Sequence, residues 1–184
     1  QGGGSDSELS ERGWKQVESV GLSLRGTEVS AIYASPLRRA LDTAQAIASY
    51  HQLAVQVEPD LREIEAGELE GVSLTELGTI FSRFLVQWRQ GQGLEKLPGG
   101  ESVVDVANRV WPVTQRIIVK HKRGTVVVVS HYFVVLVIIC KALGLPLTHL
   151  ERIRVQNASV SILDFEDKRP CLALLGDTCH LREV

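Results

Sequence analysis

Four consecutive valines, Val126 to Val129, stand between Gly124-Thr125 and Ser130-His131, and they constrain this chain more than any other stretch. Their β-branched side chains lose rotamer freedom in a helix and fit the pleat of a strand. An apolar residue at every position, not at every second one, predicts a central strand fully buried on both faces. The pattern turns helical from Tyr132 to Leu143, and Gly144 with Pro146 behind it supplies the stop signals. In an open α/β sheet, ligands bind outside the carboxyl ends of the strands. His131 occupies that end and is the first candidate functional residue; a structural imidazole bonded to a nearby carbonyl is the competing reading. From Val126 to Cys140 only Ser130 and His131 are polar, and Lys141 closes the run. That is short of the roughly 20 residues a membrane span needs.

The rest of the chain alternates helix and strand signals. Ser10 is an N-cap ahead of Trp14, Val17, Val20 and Leu24 at helical spacing, with Leu9 as staple. Val29 to Ala34 is a short strand. Ser35-Pro36 predicts a serine cap with proline at the first helical position, for a helix over 37–49. Leu53 to Val57 is a second short strand, broken by Pro59. Helices are expected over 75–88 and over 101–121, the latter with Pro112 inside it. Strands over 159–165 and 171–175 flank the charged turn 166–169. This alternation predicts an α/β fold: a three-layer α/β/α sandwich with a mostly parallel central sheet, in a single domain over 1–184. Gln1 to Ser7, glycine-rich and without core residues, reads as a loop or frayed end.

Twenty basic residues against 22 acidic ones leave the chain near neutral, so neither nucleic acid nor an anionic membrane is an expected partner. Cys140, Cys171 and Cys179 cannot all pair internally and form no CxxC framework, which fits a reducing cytoplasm. Cys171, Cys179 and His180 lack a fourth ligand, so no metal and no cofactor is expected. There is no methionine, and the first residues are Gln-Gly-Gly-Gly, so Gln1 reads as a processing product or the start of a fragment.

Two further side chains could carry chemistry. Arg39 lies in the first turn of a helix that follows a strand, where a cation is unfavourable beside the positive end of the dipole. The placement makes sense if an anion binds between free helix-start amides and the guanidinium. Arg38 cannot face the same way and reads as surface. Glu63, in the glycine-punctuated stretch Leu61 to Gly71, is a proton-donor candidate if it faces the same crevice; its neighbours Glu65, Glu68 and Glu70 read as mostly solvated. An arginine, an imidazole and a carboxylic acid suit phosphoryl transfer, whereas a GxxxxGK[ST] phosphate loop is missing. The set lacks a nucleophile, since His51, His121, His149 and His180 follow helix faces or termini.

Four stretches in order, SPLRRALDTA (35–44), LREIEAGELEG (61–71), PGGES (98–102) and VVVVSH (126–131), resemble the histidine phosphatase superfamily, the phosphoglycerate-mutase-like proteins. The resemblance implies that Arg39 and His131 bind phosphate and that Glu63 and His131 are catalytic, with Glu63 as the acid/base. It implies metal-independent hydrolysis of a small phosphorylated metabolite through a phosphohistidine. The short spacing between Gly71 and Pro98 resembles the phosphatases more than the mutases. The family's nucleophile sits in an Arg-His-Gly motif after a first central strand, and neither is in this chain, whose opening resembles the segment that follows them. The expectation is therefore an N-terminally incomplete domain, inactive as these 184 residues alone, with strand and nucleophile supplied upstream of Gln1. The alternatives are a non-catalytic phosphate- or protein-binding domain and a phosphoglycerate-mutase-type transferase. Tyr132, where the family usually has glycine, would narrow the crevice. Inorganic phosphate or a small phosphorylated substrate is the expected partner, and a homodimer is an open option.

Overall fold

The computed structural model describes residues 2–72, 95–165 and 169–182. The helix expected over 75–88 and most of the turn 166–169 lie outside them. Three parallel strands, β1 (Val29–Ala34), β2 (Val55–Val57) and β3 (Thr125–Val129), form a sheet in the order β2-β1-β3. Helices α1 (Glu11–Leu24), α2 (Arg38–Ser49), α3 (Val103–Lys120) and α4 (Tyr132–Leu143) flank it. The alternation of β1 shows how the layers form. Ile32 and Ala34 pack with Val20 of α1 and with Ala44 and Ile47 of α2. Ala31 and Tyr33 pack on the other side with Val106 and Val110 of α3 and Val134 and Val137 of α4. Parallel pairing requires a crossover, and α2 provides one between β1 and β2.

The valine strand is not the fully buried centre that its composition predicts. Among the described residues β1 is central and β3 pairs only with β1, and Val128 is 37% exposed. Val126 does pack on the α3–α4 side, and Val127 and Val129 on the α2 side. A run of β-branched residues reports cover on two faces; it does not report how many hydrogen-bonded neighbours a strand has.

Helix boundaries follow their caps. Ser10 accepts from Gly13 N, as expected, although Trp14 stays half exposed while Val17 and Val20 are buried. α3 opens with a reciprocal capping box: Ser102 Oγ accepts from Asp105 N, and the Asp105 carboxylate accepts from Ser102 N. α4 ends at Gly144 with φ 68°, a left-handed cap that favours glycine. The strands near 159 and 171 form a separate antiparallel pair, β4 (Val160–Asp164) and β5 (Cys171–Asp177). Among the described residues no helix is long and apolar enough to cross a membrane.

The capping box makes a testable contribution. Ser102→Ala removes the acceptor for Asp105 N and should lower unfolding stability by about 1 kcal/mol in urea titration. No shift in midpoint would mean that α3 does not depend on this cap.

Candidate active site

Three chain segments meet at the carboxyl ends of β1 and β3. Ser130 leaves β3 and donates through Oγ to Leu61 O at 2.7 Å, tying the strand end to the loop that carries Glu63. His131 follows as the N-cap of α4 and is 8% exposed. Its Nε2 lies 2.7 Å from Ser35 Oγ, which is completely buried. Ser35 was expected to cap α2, but α2 starts at Arg38 with Leu37 as its N-cap. The Ser35 hydroxyl instead accepts from Leu37 N at 3.3 Å and faces the imidazole. Burial first, then the nearby Arg39 and Arg109 guanidiniums, lowers the His131 pKa to about 3. The unliganded imidazole is therefore neutral at neutral pH.

Arg39 sends Nη1 to Ser5 O at 2.9 Å and Nη2 to Gly2 O at 3.3 Å. Arg38 turns outward, as expected, and pairs with Glu8 on the surface. The amides at the start of α2 are not all free, however, because Arg38 N donates to Asp6 Oδ1 at 2.6 Å. Nor is the opening segment frayed. Gly3 N donates to Ile64 O at 2.7 Å, and Gly2 N and Gly4 N both donate to the Glu70 carboxylate. Glycine permits this approach: a Cβ on Gly3 would lie 2.4 Å from Glu63 O. Glu70, expected in solvent, accepts from Ala66 N as well. Burial alone would raise its pKa, but the amides of Gly4, Gly2 and Ala66 outweigh that and hold it below the usual carboxylate range.

Glu63 is 5% exposed. Its Oε1 accepts from Ile64 N at 2.9 Å and its Oε2 from Phe133 N, in the first turn of α4, at 3.4 Å. Burial raises its pKa, against the two amides and the Arg39 and Arg109 charges. Arg39, Glu63 and His131 thus share one neighbourhood, with the Arg39 charge acting on both of the others. Tyr132 is partly exposed at the start of α4 and meets Phe133 edge-on, ring centroids 5.4 Å apart. Of the other histidines, His121 pairs with Tyr33 Oη and His180 with Ala158 O, away from the site.

Sequence reasoning missed Ser35 and Arg109. Ser35 carried a visible signal, Ser-Pro before a helix, that pointed to the wrong partner. Arg109, on α3, donates to Asp60 O, Arg62 O and Glu63 O and to the Glu101 carboxylate. It was one of three cations on a long amphipathic helix, with Arg116 and Lys120, and nothing in the pattern set it apart.

The neutral His131 makes stability depend on pH with a definite sign. Its folded pKa lies near 3 and its ordinary value is 6.5, so the unfolded chain binds more protons between them. Stability should be fully present above pH 6.5 and fall as pH drops toward 3, by about 3 to 5 kcal/mol from this group. Glu63, shifted upward, acts in the opposite sense above its ordinary value. His131→Gln should therefore flatten the acid side of a stability–pH curve measured by denaturant titration; an unchanged slope would show that His131 is not buried neutral.

The sequence profile of the histidine phosphatase superfamily (branch 1) matches residues 1–178. Phosphoserine phosphatase 1 of Hydrogenobacter thermophilus is 34% identical over 178 residues, covering 97% of this chain and 84% of that protein. The solved structure of mycobacterial glucosyl-3-phosphoglycerate phosphatase Rv2419c has a TM-score of 0.86 at 28% identity, covering 97% of this chain and 90% of that one. The same mycobacterial protein has been solved in complex with inorganic phosphate. Phosphoserine phosphatase from Entamoeba histolytica, in complex with 3-phosphoglyceric acid, has a TM-score of 0.85 at 27% identity, covering 98% and 89%. With motifs, fold and profile in agreement over nearly its whole length, this chain belongs to the histidine phosphatase superfamily.

Proposed function

We propose that the crevice between Arg39, Glu63 and His131 binds the phosphoryl group of a small phosphomonoester and hydrolyses it through a phosphohistidine, without a metal. The observation that carries this reading is Glu63: a buried carboxyl of raised pKa, held by two amides, one of them in the first turn of the helix that His131 caps, and in the field of the Arg39 guanidinium. Arg39 clamps equatorial oxygens of the transferring group, and the neutral His131 contributes an imidazole N–H. Phosphatases among the relatives support the reaction class.

The chemistry runs in two displacements. A histidine nitrogen attacks phosphorus, the bond to the leaving oxygen breaks, and Glu63 gives that oxygen its proton. Water then attacks the phosphohistidine, the P–N bond breaks, and the Glu63 carboxylate takes a proton from the water. The accepting histidine is of the Arg-His-Gly type that the family resemblance implies; these 184 residues contain no such tripeptide.

Two measurements test the assignment. Arg39→Ala should weaken orthophosphate binding by about 2 to 5 kcal/mol in calorimetry. Equal binding by the variant would remove Arg39 from the pocket. For turnover, the 184 residues alone should hydrolyse p-nitrophenyl phosphate at background rate. The same chain preceded by a strand ending in Arg-His-Gly should turn over with chelator present. In that extended form Glu63→Gln should lose more activity on alkyl than on aryl phosphates, because a good leaving group needs less protonation. Phosphate binding without turnover in the extended form would favour a binding domain instead.

A further inference from the structure

Arg109 uses every donor it has. Nε reaches Glu101 Oε1 at 2.8 Å, and Nη2 reaches Glu101 Oε2 at 2.8 Å and Glu63 O at 3.2 Å. Nη1 reaches Asp60 O at 2.6 Å and Arg62 O at 2.7 Å. Glu101 extends the grip: its Oε2 accepts from Glu65 N at 3.0 Å, and its own amide donates to Glu65 O at 2.9 Å. One ion pair, with side chains 17% and 18% exposed, therefore holds the backbone at Asp60, Arg62, Glu63 and Glu65. That stretch belongs to no sheet, so its carbonyls need partners from elsewhere. A planar fork of five donors satisfies three carbonyls and a carboxylate together; an ammonium, with three donors at one point, cannot.

We propose that Arg109, locked by Glu101, is the positioning residue of Glu63, setting through the backbone where that carboxyl sits between the Phe133 amide and Arg39. The inference rests on the reading of Glu63 as the acid. Arg109 touches the main chain of Glu63 and not its carboxyl, so it acts through geometry first. Its charge adds to the effect: Arg39 from α2 and Arg109 from α3 both oppose the rise that burial imposes on Glu63. Tyr132, at the start of α4, senses the Glu63 charge, and Arg62, Glu65 and Glu101 are the other charged groups around the fork. A lysine at this position would keep the charge but could not reach the three carbonyls and both Glu101 oxygens together.

The test is carbon-13 NMR of glutamate carboxyls in the folded 184-residue chain, with the Glu63 signal assigned by its loss in Glu63→Gln. Arg109→Gln should raise the Glu63 titration midpoint by about one pH unit. Arg109→Lys keeps the charge and should move the midpoint less, yet should speed exchange of the Ile64 and Phe133 amides roughly tenfold, since their carboxyl acceptor shifts. If Arg109→Gln does not fold, Glu101→Gln loosens the same fork and should give the same faster exchange. Folded variants with lower melting temperature but unchanged Glu63 midpoint and amide exchange would overturn the inference, leaving Arg109 a fold-holding residue only. A wild-type Glu63 midpoint in the ordinary carboxylate range would instead overturn the reading of Glu63 as the acid.

Discussion

Burying the Glu63 carboxyl is the constraint on which the rest of the site depends. An isolated carboxylate removed from water carries a large desolvation penalty, so it must neutralise or acquire donors and cations. Here both occur. Two amides and two guanidiniums surround it, yet burial still prevails and the group is shifted toward its protonated form. Burial thus favours the protonated form over the carboxylate, which is the property the proposed proton-donor role requires. Beside the adjacent Ile64 amide, the compensating groups come from three different elements: Arg39 from α2, Arg109 from α3, and the Phe133 amide from the start of α4. The site therefore exists only when both helix layers are docked on the sheet.

The same dependence explains the glycine-rich opening. Its backbone carbonyls occupy Arg39 and its amides occupy Glu70, so the segment lies over the loop that holds Glu63. Side chains there would collide with Glu63 O and with Glu70 itself. Absence of Cβ atoms, read in isolation as weak order, is what allows the chain to pack backbone against backbone.

His131 and Ser35 form the other half of the site. Burial, two nearby cations and the positive end of α4 all disfavour an imidazolium at this position. On the proposed reading, a dianion bound between Arg39 and His131 would offset those cations and favour protonation, which would couple anion binding to proton uptake. The Ser35 hydroxyl, fixed by the Leu37 amide, holds the ring from the opposite strand end.

The sequence by itself determined the order of elements, the α/β class and the motif residues Arg39, Glu63 and His131. The first two depend on local signals, β-branched runs, the cap at Ser10 and stop residues such as Gly144, and the motif residues on the family resemblance. It overreached where pairing matters. Two-faced cover of the valine strand was legible, but its place beside β1, and not at the centre, depends on which strands pair. Only the tertiary structure decided the partners of side chains whose options are many. Ser35 caps no helix because the imidazole 96 residues on competes for its hydroxyl. Arg109 finds Glu63 O across 46 residues. Glu70 turns onto the opening segment because Gly2 and Gly4, more than 60 residues away, present amides to it. Periodicity reports which face of an element is apolar; it carries no information about which polar group arrives from a distant segment, because that is set when the layers close.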